Sequence, residues 1–447
     1  AYDPDPDYSF HWFRDSAIVV DALRLLWESG TQPRGWEHFG AFVDFSRSLG
    51  RLDGRELAAS GEWRERVAPA YRQYLRPDEE LARLHGEAIA ADTRVNADGT
   101  LDITRWARPQ HDGPALRALT VLRWLAGGAD GGTRSASRAG TPGLAEAAAG
   151  LLSADLDFLL AHAREPCFDI WEEEHGLHYY TLRVSAAALD RGAAWLAARG
   201  EAQRAAACRS AAAELLAMLD DYWSADEGFY RSRILASGAR STKELDISVI
   251  LATIHAAPPD AREPGRAEHT RHAVGEPARH SVHDPRIHAT LERLMSLFDA
   301  EYPINHARPP DRAPAMGRYA ADHYYSGGAY YFSTLAASEL DFRAAAGAHE
   351  PRASKLRERG DAFLRTVRAF TPPSGDLAEQ FDQRTGAQAS AKQLAWSYAA
   401  LISCAVARRS AGAAPPGAAS GGAASGGAAS GGVAPGRAAP GDSAPAG

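Results

Sequence analysis

The chain has 447 residues, of which 45% are hydrophobic and 24% charged, enough apolar material for one large helical domain or two smaller ones. A net charge of −8 gives no electrostatic reason to bind nucleic acid or an anionic membrane surface, and no apolar run approaches bilayer-spanning length. Three cysteines, Cys167, Cys208 and Cys404, cannot all pair and fit no metal-ligand spacing, which excludes a disulfide framework and a cysteine metal site.

In chain order, Tyr8-Ser-Phe-His-Trp-Phe-Arg-Asp15 runs into a helix pattern over 16–29, and a more amphipathic helix follows at 35–49. Residues 50–105 are mixed, with Asn96-Ala-Asp-Gly99 reading as a hairpin turn. Trp106-Ala-Arg-Pro-Gln-His-Asp-Gly-Pro114 leads to a helix from Pro114, since proline is at home in a first turn. A Gly/Ser/Arg loop at 127–143 precedes an Ala/Leu helix at about 144–163.

Cys167-Phe-Asp-Ile-Trp-Glu-Glu-Glu-His-Gly-Leu-His-Tyr-Tyr-Thr181 is the most unusual stretch. A solvated helix face interleaves acids with Lys or Arg, and a core strand does not carry three charges in a row. The wall of a polar cleft does accept such a run, because a carboxyl beside apolar surface has a raised pKa and can protonate a leaving group. An ordinary acidic loop is the competing reading.

Helices are then predicted at 184–199, about 201–223, 247–256 and about 284–300. Residues 258–282 form a Pro/Arg/Glu/His-rich surface insertion. Its neighbourhood includes His269, His272, His280 and His283, but no acid or Cys joins them at ligand spacing, so no metal is assigned. Gly317-Arg-Tyr-Ala-Ala-Asp-His-Tyr-Tyr-Ser-Gly-Gly328 opens an apolar helix ending near Ala346, and a polar helix covers about 352–370. Gly375-Asp-Leu-Ala-Glu-Gln-Phe-Asp-Gln-Arg-Thr-Gly386 opens a final apolar helix at 390–408, and 411–447 is a Gly/Ala/Ser/Pro tail.

About eleven helices result, with six polar-aromatic motifs, one before every second helix. The helices after the motifs are apolar around most of their circumference, as an inner ring requires, and the others are amphipathic, as an outer layer requires. This order predicts an all-α barrel of helical hairpins with one mouth collecting Trp12, Arg14, Asp15, Trp106, Arg108, Asp112, Trp171, Glu172, Arg318, Asp322 and Glu379. A helical-repeat solenoid is the alternative. Arg108 and Asp112 also suit a buried structural pair.

Trp-Phe-Arg-Asp-Ser at 12–16, Arg-Pro-Gln-His-Asp-Gly-Pro-Ala-Leu-Arg at 108–117, Asp-Ile-Trp-Glu-Glu at 169–173, Gly-Arg-Tyr at 317–319 and Glu-Gln-Phe-Asp at 379–382 with Ser-Tyr-Ala-Ala at 397–400 resemble the glucoamylases of glycoside hydrolase family 15. The motifs fall in family order over residues 8–408. The resemblance implies an (α/α)6 barrel in a catalytic domain over 1–410, and hydrolysis with inversion of α-glucosidic bonds at the non-reducing ends of α-glucan or maltooligosaccharide chains. It implies Glu172 as general acid and Glu379 as general base. Arg14 and Asp15 would grip the terminal glucose with help from Arg318, Glu173 would reach the next sugar, and Trp12, Trp106 and Trp171 would pack against rings and the acid. No cofactor or metal is implied, and the chain is expected to act as a monomer. The surroundings agree, with Glu172 among aromatics and Glu379 beside Gln380 and Asp382 in a polar loop that would keep it ionised. Asp382 is the weaker candidate base.

Three departures stand out. Ala321 replaces a familiar acid near the mouth, Ala-Tyr-Tyr at 329–331 replaces Asn-Pro-Trp and leaves Tyr330 as the aromatic there, and a twelfth helix, an outer one ahead of Tyr8, is lacking. The chain opens on Ala1 without a signal-like segment; a secreted or periplasmic setting is favoured. A glucodextranase-like or trehalase-like hydrolase and a catalytically silent regulatory domain are the alternative functions.

Overall fold

The computed structural model describes residue 6 and residues 8–127, 143–258 and 279–412. Residues 128–142 of the loop expected at 127–143, most of the insertion at 258–282 and the tail from 413 onward therefore lie outside the described residues.

Eleven long helices stand among the described residues: α1 (Phe13–Glu28), α2 (Gly35–Leu49), α3 (Asp112–Gly127), α4 (Leu144–His162), α5 (Tyr179–Ala198), α6 (Ala202–Asp220), α7 (Ser248–His255), α8 (Pro285–Glu301), α9 (Tyr331–Ala346), α10 (Arg352–Ala369) and α11 (Ala395–Gly412). The odd-numbered helices form a closed ring. Each packs on the next, α1 on α3, α3 on α5, α5 on α7, α7 on α9 and α9 on α11, and α11 returns to α1. The even-numbered helices flank them, most extensively α6 on α5 and α10 on α9. This is the (α/α)6 architecture, and its ring closure excludes the open solenoid.

Burial follows the sequence pattern. α9 buries 14 of its 16 residues and its amphipathic neighbour α10 only 6 of 18, the contrast expected of an inner and an outer helix. Close approach uses small residues: a Cβ on Gly192 of α5 would lie 2.4 Å from Leu156 Cδ2 of α4. At the seam between α1 and α11 the cover is thinner. Those two inner helices bury 6 of 16 and 6 of 18 residues, and Ile18, Val19, Leu401 and Ile402 are half-buried. Among the described residues five outer helices, not six, flank the ring.

Two helix starts differ from the sequence expectation. α5 begins at Tyr179, not Val184, because both tyrosines turn into the core with 0% and 1% exposure. α11 begins at Ala395, not Ser390. Ser390 and Gln393 hold left-handed backbones at φ 63° and 51°, which a right-handed helix cannot contain, and Gln388–Ala389 pairs as a strand with Gln380–Phe381.

Short strands tie the motif segments together at the mouth. Phe10–Trp12 pairs antiparallel with Arg94–Asn96, next to the predicted turn, where Gly99 N–H donates to Asn96 O at 2.9 Å. His175–His178 lies between Cys167–Phe168 and Arg233–Leu235. His280, part of the expected insertion, is buried, its N–H donating to Asp284 and its ring bonded to the Tyr179 hydroxyl.

Candidate active site

The segments entering α1, α3, α5, α9 and α11 open into one cleft of about 1220 Å3. All nine predicted site residues line it: Trp12, Arg14, Asp15, Trp106, Trp171, Glu172, Glu173, Arg318 and Glu379. Arg108, Asp112 and Asp322, also expected at the mouth, sit behind this lining.

Glu172 is held between two indoles. Trp12 Nε1 donates to its Oε1 at 2.9 Å, and Trp106 Nε1 donates to its Oε2. Arg14 Nη2 stands 3.7 Å from Oε1. The Trp106 ring is braced by the buried Arg94 guanidinium, 3.6 Å from its centroid. Glu172 has a left-handed backbone, φ 65°, a conformation that costs a non-glycine residue about 1–3 kcal/mol. Asp169 holds the turn in place: its carbonyl accepts Glu172 N–H at 3.0 Å and its Oδ1 accepts Glu173 N–H at 2.7 Å. Behind it, Arg233, 2% exposed, bonds Asp169 at 2.7 Å, Glu174 at 2.8 Å and Asp246. Asp246 in turn accepts the indole N–H of Trp171 at 2.9 Å.

Glu379 is surrounded by hydroxyls. Ser390 Oγ donates to its Oε2, and the Tyr8 hydroxyl reaches the same oxygen at 3.3 Å while bonding Tyr324. The polar loop expected to keep Glu379 ionised does not surround it. Gln380 turns away to Tyr324 O and the Tyr330 hydroxyl. Asp382 caps its own turn, accepting from Arg384 and Thr385 N–H, and lies outside the cleft lining. Burial pushes both Glu172 and Glu379 above the usual carboxylate range. Arg14 and the Trp106 N–H pull Glu172 back, and Ser390, Arg318 and Tyr8 pull Glu379 back. The two carboxyls thus differ less in burial than in their partners: indoles and an arginine for one, hydroxyls for the other.

The cleft floor carries Arg14 and Asp15. Arg14 is 5% exposed and bonds Gln110 at 3.1 Å and Asp112 at 3.2 Å. Its Nε and Asp15 Oδ2, 3.4 Å apart, are buried yet make no hydrogen bond. Beyond them lie the stacked, nearly parallel rings of Phe332 and Trp396, 4.4 Å apart, with Trp171 beside them. On another wall Arg318 is fixed on Asp322 by two bonds of 2.6 and 2.7 Å.

Two expectations are corrected. Arg108 and Asp112 do not pair: Arg108 turns to Asp92 and Asp102, and Asp112 pairs with Arg14. Tyr330, read as an aromatic of the outer cleft, is fully buried and donates to Asp322 at 2.9 Å; Tyr324 lines the cleft instead. The sequence reading also missed Ser390, Phe332, Trp396 and the roles of Tyr8 and Tyr324. Tyr8 and Tyr324 lie inside the recognised motifs, which was a usable signal, whereas Phe332 and Trp396 look like ordinary core aromatics. Among the described residues no group of three His, Cys, Asp or Glu is arranged to hold a metal, and no helix is long and apolar enough to cross a membrane.

The sequence profile of the glycosyl hydrolases family 15 matches residues 91–351 and 348–406. Among curated proteins, a glucoamylase-1 of Schizophyllum commune is 27% identical over 445 residues, covering 91% of this chain and 67% of that protein. A glucoamylase of Neurospora crassa is 29% identical, covering 92% and 62%. The chain thus spans about two thirds of the length of these relatives. In fold it is similar to the glucoamylase of Saccharomycopsis fibuligera, with TM-score 0.71 at 20% identity over 91% of this chain and 87% of the other. It is equally similar to the family 15 glucoamylase of Hypocrea jecorina, with TM-score 0.71 at 23% identity over 92% and 66%.

Proposed function

Because the chain belongs to glycosyl hydrolases family 15, we propose that it is an inverting, exo-acting α-glucosidase releasing β-glucose from the non-reducing ends of starch-like or maltooligosaccharide chains. One observation carries this reading: two half-buried carboxyls, Glu172 and Glu379, share a cleft whose floor holds a buried carboxylate oxygen, Asp15 Oδ2, with no hydrogen bond. An unbonded buried acceptor is costly, and a substrate hydroxyl would satisfy it. The names of the relatives support the same substrate class.

In this reading Glu172 is the general acid. Burial raises its pKa above the usual carboxylate range, which favours the protonated form that can protonate the departing glycosidic oxygen. Glu379 is the general base. Its oxygen, oriented by Ser390 and Tyr8, takes a proton from a water that attacks the anomeric carbon. Arg14 and Asp15 hold the terminal glucose, and positive charge developing on the sugar ring is stabilised by the carboxylates around it. Inversion needs the two carboxyls roughly 6.5–9.5 Å apart to admit that water. Glu172 precedes the third inner helix and Glu379 the sixth, three positions apart on a six-membered ring, which favours the wide gap. Residues 1–410 would be the catalytic domain.

The test is NMR of the first turnovers on maltotetraose, with maltose, isomaltose and trehalose as controls for linkage. β-Glucose should appear first. Glu379→Gln should bind substrate but lose most turnover, and Glu172→Gln should harm maltooligosaccharides far more than activated aryl glucosides, which need little protonation. Retained anomeric configuration, or equal losses on both substrate types for Glu172→Gln, would refute these roles.

A further inference from the structure

The segment ahead of α7 brings a cation to Glu173, which lines the cleft. Lys243 Nζ lies 2.6 Å from Glu173 Oε2 and 4.7 Å from the centroid of the Tyr319 ring. Its backbone is fixed, the N–H donating to Ser241 Oγ at 3.0 Å and the carbonyl accepting from Ser232 Oγ at 2.9 Å. Three donors reach Glu173: the single Tyr319 hydroxyl proton, shared between Oε1 at 2.7 Å and Oε2 at 2.6 Å, Arg318 Nη2 at 3.3 Å from Oε1, and Lys243 on Oε2.

An ionised carboxylate offers about four acceptor sites, and these three donors leave one for a sugar hydroxyl beside Lys243. Arg318 cannot move: its side chain is 6% exposed and held by Asp322 through two bonds. Tyr319 is buried. Lys243, with a side chain 25% exposed, has a flexible stem and an ammonium with three donors, of which Glu173 occupies one.

We infer that Lys243 is a positioning residue for the leaving-group side of the cleft, holding Glu173 and presenting, together with it, an adjacent donor and acceptor to a hydroxyl-bearing leaving sugar. This rests on the α-glucosidase reading above. A sugar hydroxyl donates and accepts at once, so an ammonium–carboxylate pair meets it at both ends. An aryl leaving group carries no such hydroxyl and gains nothing from the pair. The consequence is a preference set by the leaving group and not by the glucose that is released.

The experiment compares kcat/KM of the wild type, Lys243→Met and Lys243→Arg on maltose and on p-nitrophenyl α-glucoside, with melting temperatures taken alongside. Lys243→Met should lose about tenfold on maltose while staying within about twofold on the aryl glucoside. Lys243→Arg, which keeps charge and donors, should recover most of the maltose rate. Equal losses on both substrates, or an unchanged maltose rate, would overturn the role. A wild type that cleaves neither substrate would instead overturn the glucosidase reading, and this inference with it.

Discussion

Trp12 Nε1 donates a 2.9 Å hydrogen bond to Glu172 Oε1 while its ring lies 5.4 Å from that of Tyr8, whose hydroxyl reaches Glu379. One aromatic pair therefore touches both carboxyls, yet each carboxyl has its own private donor. Trp106 serves Glu172, and Ser390 serves Glu379.

Those private donors separate the two roles by pH. Each favours the ionised form of its carboxyl, so removing it raises that carboxyl's pKa. Trp106→Phe should move the alkaline limb of kcat/KM upward, because an acid must stay protonated to act. Ser390→Ala should move the acidic limb upward, because a base must be ionised. A Trp106→Phe enzyme whose acidic limb moves instead would reverse the assignment.

Asp15→Ala should lower kcat/KM on the order of 10²–10³-fold, the scale seen when one preorganised polar contact to a transition state is lost. Its Oδ2 makes no hydrogen bond and only an ion pair with Arg14 at 3.4 Å, and Arg14 retains Asp112, so the melting temperature should change little. A folded variant with wild-type activity would remove Asp15 from the substrate grip.

Arg233→Met should destabilise the protein by about 3–5 kcal/mol, the penalty for stripping one partner from a buried ion cluster. It would leave Asp169 and Asp246 facing each other without their shared cation. Chemical denaturation measures this, and a loss under about 1 kcal/mol would mean that water replaces the guanidinium.

Stability should depend on pH with opposite signs at two buried groups. Burial lowers His255 from 6.5 to about 3, so its contribution is full above pH 6.5 and disappears as pH falls toward 3. Burial raises Asp246 from 3.8 to about 6, despite Arg233, so its contribution is full below pH 3.8 and disappears as pH rises through 6. The stability difference between wild type and His255→Gln should therefore shrink on acidification, and that for Asp246→Asn should shrink as pH rises. Melting temperatures from pH 4 to 7 would show both trends, and parallel curves for all three proteins would refute them.

The ring was legible because an inner helix is apolar around most of its circumference, a property of composition that needs no knowledge of neighbours. The nine cleft residues were legible for a related reason: polar and aromatic side chains crowd before inner helices, where a core would exclude them. What the sequence hid depends on distant partners. Ser390 read as the first residue of a helix until its left-handed backbone and its bond to Glu379 placed it beside the cleft. Arg108 and Asp112 suited a buried structural pair, but Arg108 is drawn to Asp92 and Asp102 across the short loop that carries Arg94. The polar neighbours of Glu379 in sequence, Gln380 and Asp382, point elsewhere, so adjacency along the chain misjudged its surroundings.

The closure of α11 on α1 also fixes when the enzyme comes into being. Tyr8 and Glu379 are 371 residues apart, and the loop between them must be closed before either meets the other, at an entropic cost that grows with its length. Synthesis proceeds from the amino end, so a nascent chain can bring Trp12 to Glu172 while Glu379 and Ser390 are still unmade. Hydrolysis should switch on only when the last inner helix docks, so the appearance of activity during translation or refolding times the final step of assembly.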